Sequence, residues 1–440
     1  MKYYSWYKRK KFWICDYLKG AEMWKHYREV SKIIKNPESS ESLRKTLLTD
    51  ILKYAKENCS FYAQVGGEDL HSFPVINKDI IKANIDGIVV PTEKIPGQVG
   101  PVHVQKTSGS SGTPFEIFQD TQCRIRRIAT IKAANERIGF HSFMPLMHLR
   151  SVKHYWGFPD NLTWKKDLNI LYADNANLDD QKIKEILNAI NDNGIKFIRG
   201  YMTTLNTLTE YAVKHNILLV NHPTFISGGE LLLESLRKRV VEDLGCNIIS
   251  QYANEENGVL GESPLNEIGT NIDLYLANCY IEVLKMDSDE PVSENEMGRI
   301  VVTDYTNHAM PMIRYDIGDL AMIDKRSATG EVLSLKKLAG RKTDLIYKTD
   351  GTAIDLFNSI SPEVYNNPGV KQWQFIQTGK TEYTLTLALR DASLNQQGTK
   401  FENLIKQILG EDAIVKVEFV DDIQVMSSGK RKIVIQSYMK

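Results

Sequence analysis

Residues 105–118 read QKTSGSSGTPFEIF. Thr107, Ser108, Gly109, Ser110, Ser111, Gly112 and Thr113 make a hydroxyl- and glycine-rich turn, after which Phe115, Ile117 and Phe118 resume a strand pattern. Small residues let the backbone approach an anion closely, and N–H groups and hydroxyls donate to phosphate oxygens. The turn therefore suits a polyphosphate. It is not a Walker A loop, which needs a Lys before its last hydroxyl residue. The same composition also describes a solvated surface loop, and the stretch alone admits both readings.

On either side of this turn, strand-like and helical patterns alternate. Residues 39–57 carry Leu43, Leu47, Leu48, Ile51 and Leu52 at helical spacing. Short strands are expected at 88–90, 170–173, 197–199, 223–227 and 247–252, and helices at 121–137, 179–191, 204–215 and 231–244. That rhythm implies crossover units and buried sheet. After about residue 271 the pattern changes to paired strands, with Leu284, Ile300 and Val302 alternating as in a half-buried antiparallel sheet or small barrel. The last hundred residues read strand, turn, strand, helix, strand, helix, strand, a unit large enough to fold alone. The fold class expected is α/β to α+β. An N-terminal helical segment, 1–72, packs on a large domain, 73–343, of helix-flanked sheets with a small barrel-like part, and a small mobile α+β domain, 344–440, follows.

Composition narrows the function. The 440 residues are 42% hydrophobic and 25% charged, ample for a large core. Lys and Arg number 55, as do Asp and Glu, so a chain-wide attraction to nucleic acid has no support. Five cysteines, at 15, 59, 123, 246 and 279, form no CxxC pair, which fits a reducing, cytoplasmic setting and argues against disulfides or structural zinc. The N-terminus, MKYYSWYKRKKFWICDYLKG, has only a brief apolar run at 12–15, too short for a secretory signal, and no segment reaches the roughly 20 apolar residues of an integral membrane span. Two readings of it stand: a helix laying Trp6, Trp13, Trp24 and Tyr27 on the body, or a basic aromatic surface for a membrane or partner.

Five further segments carry chemistry. SGGE, 227–230, lies where a strand gives way to a helix, so Gly228, Gly229 and Glu230 offer bare backbone and a helix start to a flat or anionic ligand; a plain turn reads the same way. QYANEENG, 251–258, sets Tyr252 four residues before Glu256, an aromatic that can stack on a base and a carboxylate that can hold Mg2+, although either also suits a strand edge. PMIRYDIGDLAMID, 311–324, carries Arg314 and Asp319 around Gly318; such an Asp accepts ribose hydroxyls or bonds its own backbone. LAGRKTDLIYKTDGTAI, 338–354, places Arg341 and Asp344 at the inferred boundary. SSGKRK, 427–432, presents Lys430 on a glycine turn, as a mobile cation or a solvated basic turn.

Taken in order, TSGSSGTP, SGGE, YANEENG, RYDIGD, GRKTDLI and SGK resemble the signature set of the adenylate-forming superfamily, in its branch of phenylacetate-CoA ligases and CapK-type proteins. The resemblance runs from about residue 73 to the C-terminus. It implies ATP-dependent activation of a carboxylic acid to an acyl-adenylate, with pyrophosphate released and AMP displaced by a thiol. That thiol would belong to CoA. A carrier-protein thiol, or an amine or hydroxyl in surface-polysaccharide synthesis, is the alternative acceptor, and a non-catalytic nucleotide-binding homologue the alternative of another class. Residue by residue, it assigns the Thr107 to Thr113 turn to the pyrophosphate of ATP, with Gly228, Gly229, Glu230 and Tyr252 around the adenine. Glu256 would hold Mg2+, Asp319 and Arg341 the ribose, Lys430 would be catalytic, and Asp344 would be the hinge. HYWGF at 154–158 puts Tyr155, Trp156 and Gly157 near the acyl pocket, with Tyr201 on its other side. The partners implied are a small carboxylic acid and a thiol, with a homodimer compatible. Two departures stand out. Ala253 and Glu255 occupy positions where the family has Gly and a hydroxyl residue, and Glu255 would repel phosphate unless it points away or helps with metal.

Overall fold

The computed structural model describes residues 2–106, 115–151, 161–176, 178–267, 271–341, 345–354, 369–423 and 433–438, with single positions at 356, 364 and 367. Contacts divide the chain into two units. The first comprises Met1–Leu149, Phe158–Asp174 and Asp179–Leu338, the second Arg150–Gly157, Asn175–Leu178 and Ala339–Lys440.

The first unit opens with helices α1 (Lys2–Leu18), α2 (Glu22–Lys35) and α3 (Glu41–Asn58), followed by short α4 (Lys78–Ala83) and α5 (Ile85–Ile88). The Asp16 carboxylate of α1 accepts from the N–H groups of Met23 (3.1 Å) and Trp24 (2.9 Å), so one helix caps the next. Ile51, Leu52 and Ala55 of α3 pack with Tyr62, Phe73 and Ile88 against Met310 and Met312. The 88–90 stretch, expected as a strand, is instead the end of α5 and a coil whose Val90 N–H donates to Ala309 O at 3.0 Å. Its apolar residues serve that core, not a ladder.

A hairpin of β1 (His103–Lys106) and β2 (Glu116–Gln119) flanks the glycine-rich turn, whose residues 107–114 lie outside the described ones. Helix α6 (Thr121–Arg137) follows, capped by Asp120, whose carboxylate accepts from Cys123 N–H at 2.8 Å. Then come β3 (Leu146–Leu149), β4 (Leu162–Lys165), β5 (Ile170–Ala173), α7 (Asp180–Asp192), β6 (Phe197–Gly200), α8 (Met202–Lys214), β7 (Thr224–Gly228), α9 (Glu234–Lys238) and β8 (Asn247–Asn254). The remaining strands are β9 (Gly258–Glu262), β10 (Ile272–Leu274), β11 (Cys279–Leu284), β12 (Met297–Asp304), β13 (Tyr315–Arg326) and β14 (Val332–Arg341).

Strands β3 to β14 form one sheet, in the order β11-β12-β13-β14-β10-β9-β8-β7-β6-β3-β5-β4. Strands β5, β3, β6, β7 and β8 run parallel, joined through crossover helices, and β8 to β11 onward pair antiparallel where registers are given. The antiparallel half thus extends the same sheet, and among the described residues it does not close into a barrel of its own. The helix expected over 231–244 begins only at Glu234, because Leu233 is extended (ψ 136°), and passes into a wider turn over Arg239–Asp243.

The second unit contains a hairpin, β15 (Ile346–Tyr347) with β16 (Ala353–Ile354), and a four-stranded sheet. Its order is β19 (Ile414–Val420), β18 (Glu382–Leu389), β17 (Val370–Gln377), β20 (Val434–Gln436). Helix α10 (Gly398–Leu409) buries Phe401, Ile405 and Leu409 with Phe375, Leu385 and Leu387. Strands β17 and β18 form an antiparallel hairpin across the turn at Gly379 and Lys380.

Among the described residues no helix is long and apolar enough to cross a membrane. Trp13, Trp24 and Tyr27 pack on one another, with centroids 5.2 to 5.7 Å apart, but Trp6 is 55% exposed and lies outside that cluster. Lys132 of α6 joins them to the body, its Nζ 4.2 Å from the Phe12 ring centroid and donating to Ser142 Oγ at 2.7 Å. Burial lowers the Lys132 pKa from 10.5 to about 8, against the opposing pull of Glu136. Between those two values the unfolded chain holds a proton that the folded one has lost, so rising pH favours folding there. Wild type should therefore gain stability relative to Lys132→Met as pH rises from about 8 to 10.5, read as the difference between their urea midpoints.

Candidate functional site

In an open sheet with parallel strands, ligands bind beyond the carboxyl ends of those strands. Those ends carry Gly200 and Tyr201 after β6, Gly228 to Glu230 after β7, and the residues from Tyr252 onward on β8. Register makes them neighbours: Gly200 lies opposite Ser227, and Gly228 opposite Gln251. Gly229 has φ +75°, a conformation that favours glycine and turns the chain away from the sheet. The helix start expected next to SGGE is displaced, since α9 begins four residues beyond Glu230. The Glu230 carboxylate is turned to another helix. It accepts from Thr203 N–H at 2.8 Å and Thr203 Oγ at 2.9 Å, satisfying the first turn of α8 and complementing its dipole. Tyr201 is the residue that leads into α8, and Gly200 packs so tightly that an added Cβ would stand 3.2 Å from Leu149.

Tyr252 and Asp319, separated by 67 residues, meet: the phenol donates to Asp319 Oδ2 at 2.9 Å. The Tyr252 ring is only 7% exposed and packs with Leu260, Ile272 and Leu274. Asp319 reaches it because β13 bulges. Asp316 pairs with Val301 and Leu320 with Arg299, so three residues of β13 oppose one of β12. Asp316 builds the bulge, accepting from Gly318 N–H at 2.9 Å while ion-paired to Arg299 at 3.1 Å. Gly318 takes φ +81° within it.

Glu255 and Glu256 sit in the turn between β8 and β9, closed by Asn257 N–H donating to Asn254 Oδ1 at 2.6 Å. Arg127 of α6 holds this turn from below, its guanidinium donating to Glu255 O at 3.1 Å and to Glu256 O, with Asp304 Oδ2 at 3.5 Å. Burial works against the Arg127 charge, and buried neighbours led by Cys123 and Asp304 outweigh it and raise the pKa. Glu255 is exposed and its carboxylate accepts from Gln105 Nε2 at 3.3 Å, on the strand entering the glycine-rich turn. Glu256 is half-buried. Among the described residues no three His, Cys, Asp or Glu side chains cluster as a metal cage. Mg2+ held by one carboxylate with substrate phosphates and water needs no such cage, so Glu256 fits that donor set.

Arg314, a candidate in the same segment as Asp319, is buried and structural. Its guanidinium makes a two-point pair with Glu282 (3.1 and 3.2 Å) and donates to Phe73 O at 3.1 Å, from a backbone at φ +51°. Arg341 ends β14 within the second unit. Thr107 to Thr113, Tyr155, Trp156, Gly157, Asp344 and Lys430 lie outside the described residues.

The comparisons with known proteins bear on this arrangement. The CapK C-terminal domain model matches residues 346–437. A phenylacetate-coenzyme A ligase of Thermus thermophilus is 32% identical over 128 residues, 28% of each chain, so that match spans little more than a quarter of the relative's length. Another, of Escherichia coli, is 22% identical over 326 residues, 70% of this chain and 72% of that one. The C-terminal part of the chain thus matches the CapK C-terminal family, and the chain as a whole is similar to phenylacetate-CoA ligases. Solved structures carry the same fold. A 2-hydroxyisobutyryl-CoA ligase in the postadenylation state aligns with TM-score 0.67 at 16% identity, over 91% of this chain and 90% of that one. O-succinylbenzoate coenzyme A synthetase of Bacillus subtilis, in complex with AMP, aligns with TM-score 0.51 at 16% identity, over 74% and 67%.

At this site, sequence reading missed Arg127, Asp304 and Asp316. Only Asp316 left a signal, as an Asp two residues before a glycine in YDIGD. Arg127→Met should unlatch the Glu255–Glu256 turn, raising amide exchange at residues 255–258 by mass spectrometry and costing about 3–5 kcal/mol in denaturant titration. A turn that exchanges as in wild type would show the guanidinium to be dispensable there.

Proposed function

We propose that this chain joins a carboxylic acid to AMP, using ATP, and passes the acyl group to a thiol, that of CoA. The supporting observation is the Tyr252–Asp319 hydrogen bond at 2.9 Å, which unites two distant motifs beside Gly228 and Gly229 at the carboxyl ends of the parallel strands. The relatives are phenylacetate-CoA ligases, and the structural neighbours include CoA ligases solved with acyl-AMP or with AMP. In the proposed reaction a carboxylate oxygen attacks the α-phosphorus of ATP and pyrophosphate leaves. The thiol then attacks the acyl carbon and AMP departs.

The residues divide that work. Gly228 and Gly229 offer backbone without side chains to the adenine, with Tyr252 behind them and Glu230 fixing the α8 start that borders them. Asp319, aimed by its bulge, takes the ribose. Glu256 would hold Mg2+, which supplies positive charge where two anions must meet. Glu255 leans toward Gln105 and so keeps its charge on the β1 side of the turn. The role read for Thr107 to Thr113 is the pyrophosphate, that for Lys430 is to offset developing negative charge in the first step, and that for Asp344 is the hinge; Tyr155, Trp156, Gly157 and Tyr201 are the acyl-side candidates.

Acid-dependent pyrophosphate release, measured against a panel of aryl, fatty and amino acids, tests the reading. At least one acid should support release, followed by thioester formation with CoA in preference to a carrier protein or an amine. Asp319→Ala should raise the KM for ATP by about tenfold or more, the worth of a charge-assisted hydrogen bond. Lys430→Ala should suppress release more than thioester formation from supplied acyl-adenylate. Tight ATP binding with no exchange for any acid would replace the enzyme reading with a nucleotide-binding one.

A further inference from the structure

Helix α1 is amphipathic in the reverse sense for a helix lying on a protein body. Ser5 is buried, Asp16 is engaged in capping α2, and Phe12 and Trp13 pack inward. Facing outward are Trp6, Tyr7, Ile14, Tyr17 and Leu18, between 55% and 77% exposed. At about 100° per residue these five, with Lys10 and Lys11, fall within an arc of about 140°. Large apolar side chains scattered singly on a surface need no explanation, but five on one helical stripe do.

Charge identifies what covers the stripe. The whole chain is neutral, yet residues 8–11 read KRKK. The turn between β4 and β5 adds Lys165 and Lys166 to the same surface, with Leu168 45% exposed, and is tied to α1 by Lys8 Nζ donating to Asp167 O at 2.8 Å. Tryptophan and tyrosine rings interleaved with lysines match the polar–apolar boundary of a bilayer. A second copy would set one basic stripe against another, which repels. Five cations in a 17-residue helix also prevent it from spanning a membrane, so it would lie in the surface plane.

We propose that the outward face of α1, together with the β4–β5 turn, docks the protein peripherally on an anionic lipid bilayer. This inference is independent of the reading of the nucleotide site. Cys15 is the exposed cysteine of the five, so an environment-sensitive fluorophore on its thiol reports from the edge of the face. Full-length protein should sediment with vesicles of phosphatidylglycerol and phosphatidylcholine but not with phosphatidylcholine alone, and the label should shift to the blue. Lys10→Glu with Lys11→Glu should lower partition by about thirtyfold or more. Trp6→Ser, Tyr17→Ser and Leu18→Ser combined should abolish the blue shift, with the thermal midpoint of each variant checking its fold. Absence of binding to anionic vesicles overturns the proposal, as does binding that neither variant weakens. A dimer dissolved by the serine variant, without vesicle binding, overturns it too and makes the face a contact between copies.

Discussion

Strand β8 is paired parallel to β7 on one side and antiparallel to β9 on the other. Everything at the candidate site follows from that mixed pairing. Being parallel to β7, it ends at the edge where ligands bind in such sheets; being antiparallel to β9, it must turn back at once. The tight turn at Asn254 to Gly258 is therefore delivered to the ligand edge, and Glu256 with it. The register shift between Tyr252 and Ala253 loosens the ladder just before the turn. The antiparallel half then brings β13, with Asp319, back within reach of the Tyr252 hydroxyl.

A turn so placed must be stiff, since a carboxylate that wanders by an ångström loses its worth in a charged site. Arg127 supplies the stiffness by bonding two carbonyl oxygens that a hairpin turn otherwise exposes to water. The bond is purchased with a buried cation, which Asp304 offsets; Asp304 is itself satisfied by Thr306 N–H and Oγ, each at 2.7 Å. Helix α6, which follows β2 of the hairpin that flanks the glycine-rich segment, thus also holds the β8–β9 turn.

Much of this was legible in the sequence, and unevenly. The helix over 121–137 and the strand over 170–173 appear as read, because Asp120 caps the first and an apolar run flanked by polar residues bounds the second. Periodicity failed where core packing recruited apolar residues without ladder pairing, as at 88–90, and where an extended Leu233 delayed a helix. Motifs singled out candidate residues but not their partners. Arg314 and Asp319 stand five residues apart in one segment, one locked to Glu282 in the interior and the other turned to Tyr252. Only the bulge separates those fates, and a bulge depends on the neighbouring strand, which no local pattern contains.

The same contrast governs the carboxylates. Asp120, Asp316 and Glu230 each accept backbone N–H groups, fixing a helix start, a bulge and a second helix start. Through those bonds the three side chains serve as structural clamps. A carboxylate can hold a loop or a ligand well, but seldom both with the same oxygen. Glu230 illustrates this: both of its oxygens contact Thr203, which ties the loop after β7 to the start of α8. What the carboxylate leaves open beside it is the bare backbone of Gly228 and Gly229, where no side chain stands in the way of a close approach.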